Sequence, residues 1–324
     1  MNDNSKKSRR SFLKKAAVVT GATIAAPGMA NAMSPKRRKK KKASDAVKPF
    51  NLKYAPHPGM FKHHAGDSML DQIKFCHDMG FRAWFDNGIM KRPVAEQEAI
   101  ANQLEKLGMD LGPFVLYADF SKRSFVLDDD SVRNMLTDIM QKGMETAKRV
   151  NAKWALVVPG RYDEKLHWDY QTTNVINNLK MCAGIVEQSG LVLVLEPLNA
   201  LQNHPGLFLT GIPQSYMVCK SVNSPACKIV NDFYHQQITE GNLIPNMEQA
   251  WSEIAAFHIG DNPGRKEPLT GEINYRNVFK HVHKRGYDGV LCMEHGKSLG
   301  GIEGEKKLIE AYRFCDDFLP KTEE

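Results

Sequence analysis

Phe257-His258-Ile259-Gly260-Asp261-Asn262-Pro263-Gly264-Arg265, running on to Gly271-Glu272-Ile273-Asn274-Tyr275, begins as an apolar strand and turns abruptly polar. A His stands where the apolar residues stop, and an Asp, a tight Asn-Pro-Gly turn and an Arg follow. Three other apolar runs in this half of the chain end in a metal-ligand type: 191–195 at Glu196, 228–231 at Asp232 and 290–293 at Glu294. Carboxylates and imidazole are hard and borderline ligands, so four such strand ends point to a site for one divalent metal ion.

Outward from these runs the pattern repeats. From Phe50 onward, short apolar segments at 51–55, 81–85, 111–117, 154–158, 191–196, 228–232, 255–259 and 289–294 read as strands. Helical patterns at 68–79, 94–107, 132–150, 170–188, 213–221, 247–254, 277–284 and 306–318 separate or follow them. Gly80, Gly108, Gly190 and Gly286 each stand just past a helix pattern, as a C-terminal cap does. Asp67, Asp130 and Thr210 are the expected N-caps. Strict alternation predicts an α/β fold, a single (β/α)8 TIM barrel over 50–324, with a doubly wound open sheet as the alternative. No dinucleotide-type glycine fingerprint follows the first strand, and no P-loop or G-x-S-x-G elbow occurs.

A barrel gathers the C-terminal ends of its strands at one mouth. Glu196, Asp232, His258 and Glu294, ending strands five to eight, then converge. A carboxylate ending an apolar strand is costly unless it meets a cation or opens onto the mouth. Glu196 and Glu294 are therefore expected both to bind metal and to act as acid or base; the plainer role is capping a loop amide. His235, three residues after Asp232, is expected to face the substrate and polarise an oxygen or carry a proton. Arg265 is expected to grip a substrate carboxylate or hydroxyl, the plainer role being a salt bridge to Glu267 or Glu272. His57, after the first strand, and Trp84, with Phe85 and Asp86 at the end of the second, are expected to wall the pocket. His63-His64 reads as surface, Asp128-Asp129-Asp130 as a solvated helix start, and Lys297 as a neutraliser of an anionic intermediate.

The formal charge of +7 is concentrated at the N-terminus. Residues 1–48 carry 14 Lys and Arg against 2 Asp and Glu, and the rest carries 30 against 35, a net of −5. An acidic body argues against nucleic acid as a ligand. Ser8-Arg9-Arg10-Ser11-Phe12-Leu13-Lys14-Lys15, a weakly apolar stretch at 16–29 and Ala30-Asn31-Ala32 read as a cleavable twin-arginine signal over 1–32. The expected location is periplasmic, reached by the twin-arginine export machinery, with no membrane span in the mature chain. The basic run Lys36-Arg37-Arg38-Lys39-Lys40-Lys41-Lys42 is expected to be a disordered arm within a linker at 33–49. The six cysteines are widely spaced with no C-x-x-C and read as buried structural thiols.

Leu195-Glu196-Pro197-Leu198-Asn199, Asp232-Phe233-Tyr234-His235, the 258–265 stretch with 271–275, and Gly286-Tyr287-Asp288-Gly289 leading to Glu294 resemble the hydroxypyruvate isomerase group. That group lies within the xylose-isomerase-like TIM barrels, which include ketose 3-epimerases. The resemblance implies that Glu196, Asp232, His258 and Glu294 hold Mn2+, Mg2+ or Co2+, and that Glu196 and Glu294 move a proton through a metal-stabilised enediolate. The implied substrate is a small keto-sugar or hydroxy-keto acid, and the implied assembly a homo-oligomer. His258 stands where hydroxypyruvate isomerases carry Gln and ketose epimerases carry His. His295-Gly296 replaces the usual aromatic and basic pair. An exported lyase or epimerase of 3-keto-glycosides is the alternative activity, and a non-catalytic sugar-binding barrel the alternative class.

Overall fold

The computed structural model describes residues 47–319. The signal at 1–32 and the linker at 33–49 with its basic arm, save the linker's last three residues, lie outside the described residues. The strands are β1 (Lys53–Ala55), β2 (Ala83–Trp84), β3 (Asp110–Leu111), β4 (Phe114–Ala118), β5 (Trp154–Val158), β6 (Val192–Leu195), β7 (Cys227–Asp232), β8 (Ile254–Ile259) and β9 (Val290–Met293). The helices are α1 (Lys62–Ala65), α2 (Met69–Asp78), α3 (Val94–Leu107), α4 (Asp130–Val150) and α5 (Trp168–Val186). They continue with α6 (Ile212–Val222), α7 (Phe233–Thr239), α8 (Leu243–Ala250), α9 (Tyr275–Lys284) and α10 (Gly301–Asp316).

Seven strands pair in parallel in the order β1-β9-β8-β7-β6-β5-β4. Consecutive strands are neighbours throughout, with none of the order reversal of a doubly wound sheet. Between the two edges lies the parallel pair β2–β3. Phe85 N–H donates to Pro56 O (2.9 Å) and Val115 N–H to Asn87 O (3.1 Å), which ties that pair to both edges and closes the TIM barrel.

The third barrel position, expected as one strand, is two. Pro113 has no N–H to give a ladder, and Gly112 sits where a Cβ would lie 2.7 Å from Cys292 Sγ. The expected N-caps are each displaced by one residue. Ser68 Oγ accepts from Asp71 N–H, Asp129 accepts from Ser131 and Val132 N–H, and Gly211 starts α6. α8 starts four residues before the pattern suggests, because Pro245 is tolerated in a first helical turn. The short helices α1 and α7 carry no apolar period of their own and are not foreseen.

Side chains alternate across the strands, and so do two cores. Ala83, Phe85, Val158, Val194, Val230, Ala256, Val290 and Cys292 fill the barrel interior. Trp84, Leu193, Leu195, Ile229, Phe257, Leu291 and Met293 face the helices. α4 shows how the helices seal this outer layer. Val132, Leu136, Met140, Gly143, Ala147 and Val150 form its buried stripe at three- and four-residue spacing. Among the described residues no helix is long and apolar enough to cross a membrane. All six cysteines are buried and unbridged.

Candidate metal centre

Strand parity aims the ligands. Glu196 follows Val194 by two residues, Asp232 follows Val230, His258 follows Ala256 and Glu294 follows Cys292, so all four continue the interior face beyond its apolar part. Asp232 and His258 are directly paired across β7 and β8. One ligand-type atom from each residue lies within 4.8 Å of the other three. His258 Nδ1 stands 2.9 Å from Glu196 Oε1 and 3.0 Å from Glu294 Oε2. Asp232 divides its carboxylate. Oδ1 caps α7 by accepting from Tyr234 N–H (2.7 Å) and His235 N–H (3.2 Å), which leaves Oδ2 for the site.

Arg265 enters from the loop after β8. Its Nη2 donates to Glu294 Oε2 (2.8 Å) and Asp232 Oδ2 (3.1 Å), its Nε donates to Glu294 O (3.1 Å), and its guanidinium lies 4.9 Å from the Tyr234 ring. Buried Asp261 shapes that loop by accepting backbone N–H from Thr270 (3.1 Å), Gly271 (2.9 Å) and Ile273 (3.1 Å). Arg265 itself holds φ of 49°, a left-handed conformation that a non-glycine residue adopts only when its surroundings enforce it.

Burial and the neighbouring Glu294 push the Glu196 carboxyl up to about 7. Against the cost of burial, His258 and Arg265 hold Glu294 well below the usual carboxylate range. Burial alone would lower His258, but Glu294 and Glu196 keep it well above its ordinary value. In the bare protein, then, three carboxyl groups face two cationic partners, Arg265 and a His258 imidazole held toward its protonated form. The donor set fits a divalent ion: three oxygens and one nitrogen converge in a buried pocket, and a metal would displace the imidazole proton.

A family model for the xylose isomerase-like TIM barrel matches residues 73–318. The chain belongs to this family. Hydroxypyruvate isomerase of Escherichia coli (strain K12) is 33% identical over 166 residues, 51% of this chain and 62% of the relative. The chain thus spans less than two thirds of that relative's length. Among solved structures, the E. coli 3-keto-D-glucoside 4-epimerase superposes with a TM-score of 0.67 at 18% identity, covering 82% of this chain and 100% of that one. The IOLI protein with a binding zinc atom superposes at 0.62 and 18% identity, covering 82% and 96%. These two likenesses are of fold.

Within this xylose isomerase-like barrel, the other expected site residues divide. His235 is fully buried and lines the cavity with Glu196, Arg265 and Glu294. Its Nδ1 faces Asn199 N (3.3 Å) and Nδ2 (2.6 Å), so Nδ1 accepts and Nε2 carries the proton. Nε2 has no hydrogen-bond partner and lies 3.7 Å from Asp232 Oδ2. Burial lowers His235 to about 4, which keeps it neutral at pH 7. His57 lines the adjoining cavity beside Arg265, Glu294 and His295, with Nε2 3.2 Å from His295 O.

Trp84 is a correction. It sits on the outer face of β2, fully buried in the core between sheet and helices, and the inward place belongs to Phe85, whose ring lies 5.1 Å from that of His258. Lys297 is another, for its Nζ donates to Met60 O (2.6 Å) and Glu305 Oε1 (3.1 Å). The sequence reading also misses Asn87, whose Nδ2 donates to Glu294 Oε1 (2.8 Å). Asn87 continues the inward parity of Ala83 and Phe85, the signal that would have found it.

Proposed function

We propose that this protein is a divalent-metal-dependent isomerase or epimerase of a small keto-sugar or hydroxy-keto acid. The observation that carries the reading is the convergence of Glu196, Asp232, His258 and Glu294 within 4.8 Å at the mouth of the barrel. The family and the hydroxypyruvate isomerase relative support it. A divalent ion held by these four residues supplies Lewis-acid polarisation of a substrate carbonyl.

Glu196 and Glu294 then supply the proton chemistry. One takes the proton from the carbon beside the carbonyl, and the electron pair moves to give an enediolate. Return of the proton to the neighbouring carbon isomerises the substrate; return to the opposite face of the same carbon epimerises it. In the metal-free protein their surroundings make the two carboxyls unlike, burial and Glu294 raising Glu196 while His258 and Arg265 lower Glu294 against the cost of burial. His235 offers its unpartnered Nε2–H to a substrate oxygen, and Asn199 holds that tautomer. Arg265 positions Glu294 through three hydrogen-bonded contacts to it and to Asp232. The twin-arginine pattern supports export of the folded enzyme to the periplasm.

Solvent-deuterium incorporation into hydroxypyruvate and a panel of ketoses, with wild type and Glu196→Gln side by side, tests this reading. Incorporation by wild type that collapses in the variant is expected. Incorporation into no substrate by metal-loaded wild type contradicts it.

A further inference from the structure

Away from the mouth, unneutralised cations gather on one corner of the barrel. Residues 47–50 run into β1 there, the last turn of α9 leads toward β9, and α10 ends where Asp316 accepts from Asn51 N–H (2.7 Å). This corner lies at the N-terminal ends of the strands, and the mouth opens at the opposite end.

α9 carries no acidic residue. Its Tyr275, Val278, Phe279 and Val282 are buried, and Arg276, Lys280 and Lys284 are exposed. Glu248 pairs with His281 (2.9 Å) and Arg285 (3.1 Å). Among the described residues, Lys280 and Lys284 meet no carboxylate, and Arg276 donates to the Asp317 carbonyl instead. Arg313 on α10 and Arg82 before β2 likewise donate to carbonyls, those of Met79 (2.6 Å) and Phe81 (2.7 Å). A guanidinium bonded to a carbonyl keeps its net charge, which a carboxylate would cancel. Exposed Lys48 joins them, for a Cβ on Gly80 would lie 2.8 Å from Lys48 O and closer still to the Arg313 guanidinium.

Apolar side chains interleave with these cations. Phe314 is 54% exposed with the Arg276 guanidinium 5.6 Å from its ring, and Leu319 and Val47 are each 42% exposed. The described chain starts at Val47, and the seven consecutive cations at 36–42 end five residues before it in sequence. A nucleic acid would neutralise the charges and leave the apolar side chains in water. The headgroup layer of an anionic bilayer neutralises the charges and takes in the apolar groups as well.

We propose that this corner docks on an anionic phospholipid bilayer, with Lys280 and Lys284 against the headgroups, Phe314 and Leu319 at the acyl boundary, and the mouth directed away from the lipid. The proposal is independent of the proton-transfer reading.

Vesicle sedimentation tests it with the chain from Met33, which keeps the described barrel and the basic run. The vesicles are phosphatidylcholine alone or with about one third phosphatidylglycerol, and a DNA duplex serves as the competing polyanion. Binding to the phosphatidylglycerol vesicles alone, released by ~0.5 M salt, is expected. The double variant Lys280→Gln/Lys284→Gln binds about 30-fold more weakly, since each cation near an anionic surface contributes roughly fivefold. Phe314→Ser weakens binding about fivefold and Phe314→Trp preserves it. All these positions are exposed, so the variants keep the wild-type melting temperature. Equal binding to both vesicles, or none, overturns the proposal. So does an affinity that neither the double variant nor Phe314→Ser moves, which would leave the basic run acting by itself, and so does tighter binding to the duplex than to the vesicles.

Discussion

The mouth of this barrel has two unlike halves. β6 to β9 run four to six residues each, pair in sequence with one register shift at Ile229–Val230, and end in Glu196, Asp232, His258 and Glu294. β1 to β4 are shorter or broken, and their ends contribute Phe85, Asn87 and, on the following loop, Phe120. Converging carboxylates repel one another and hold position only on a rigid scaffold, which the paired strands of this half supply. The other half carries no such charge density. It meets the same cavity with aromatic and amide groups, which suit recognition, and it tolerates irregular backbone. On the proposed function, reactivity falls to one half and shape to the other.

The largest expected effect lies in the charged half. Glu196→Gln lowers the rate of deuterium incorporation at least ~1000-fold, the scale of a lost acid–base group. The same change raises the melting temperature of the metal-free protein, since it removes a buried carboxylate beside Glu294. A fall in rate under tenfold would break the assignment of reactivity to this half.

Asp261→Ala comes next. It leaves four backbone N–H groups of the Arg265 loop unanswered, costs about 3 kcal/mol in urea unfolding, and lowers kcat roughly 100-fold as Arg265 loses its aim. Retained activity at lowered stability would show that Arg265 needs no such support.

In the other half, Phe85→Ala and Trp84→Phe sharpen the comparison. Phe85→Ala raises KM or lowers kcat about tenfold, whereas Trp84→Phe leaves both within about twofold and costs roughly 1–2 kcal/mol of stability. The reverse pattern would return Trp84 to the pocket.

This contrast also shows where the sequence is legible. Long apolar runs that stop at a charged residue announce both a strand and the residue at its end, so the four converging side chains and the barrel alternation are readable from β6 to β9. The two residues of β2 give no period, so nothing in Ala83-Trp84-Phe85 says which ring faces inward until neighbours fix the register. Asn87 shares the inward parity of Phe85, so its contact to Glu294 becomes legible only once that register is fixed. α7 is hidden because Asp232 ends a strand and caps a helix at once. The aim of Arg265 depends on Asp261 gathering backbone amides nine to twelve residues ahead of it in sequence.

A change with no expected effect on catalysis tests a carboxylate away from the mouth. Asp316, on α10, accepts from Asn51 N–H (2.7 Å) and Tyr54 O–H (3.0 Å) at β1, and burial raises it from 3.8 to about 6. A carboxyl raised in the folded state binds its proton more tightly there than in the unfolded chain. Its contribution is therefore best below pH 4 and is lost as pH rises through 6. Asp316→Asn lacks this loss, so its stability relative to wild type improves by on the order of 3 kcal/mol between pH 4 and 7 in urea titrations. A difference that does not vary with pH would mean that Asp316 is ionised at both.

Calorimetric titration of the metal-stripped protein with Mn2+, wild type against Glu294→Gln, tests the central claim most directly. One ion per chain bound by wild type, and affinity at least ~100-fold weaker in the variant, is the predicted result. No binding to wild type, or equal affinity in both proteins, would contradict a metal centre built from the ends of β6 to β9.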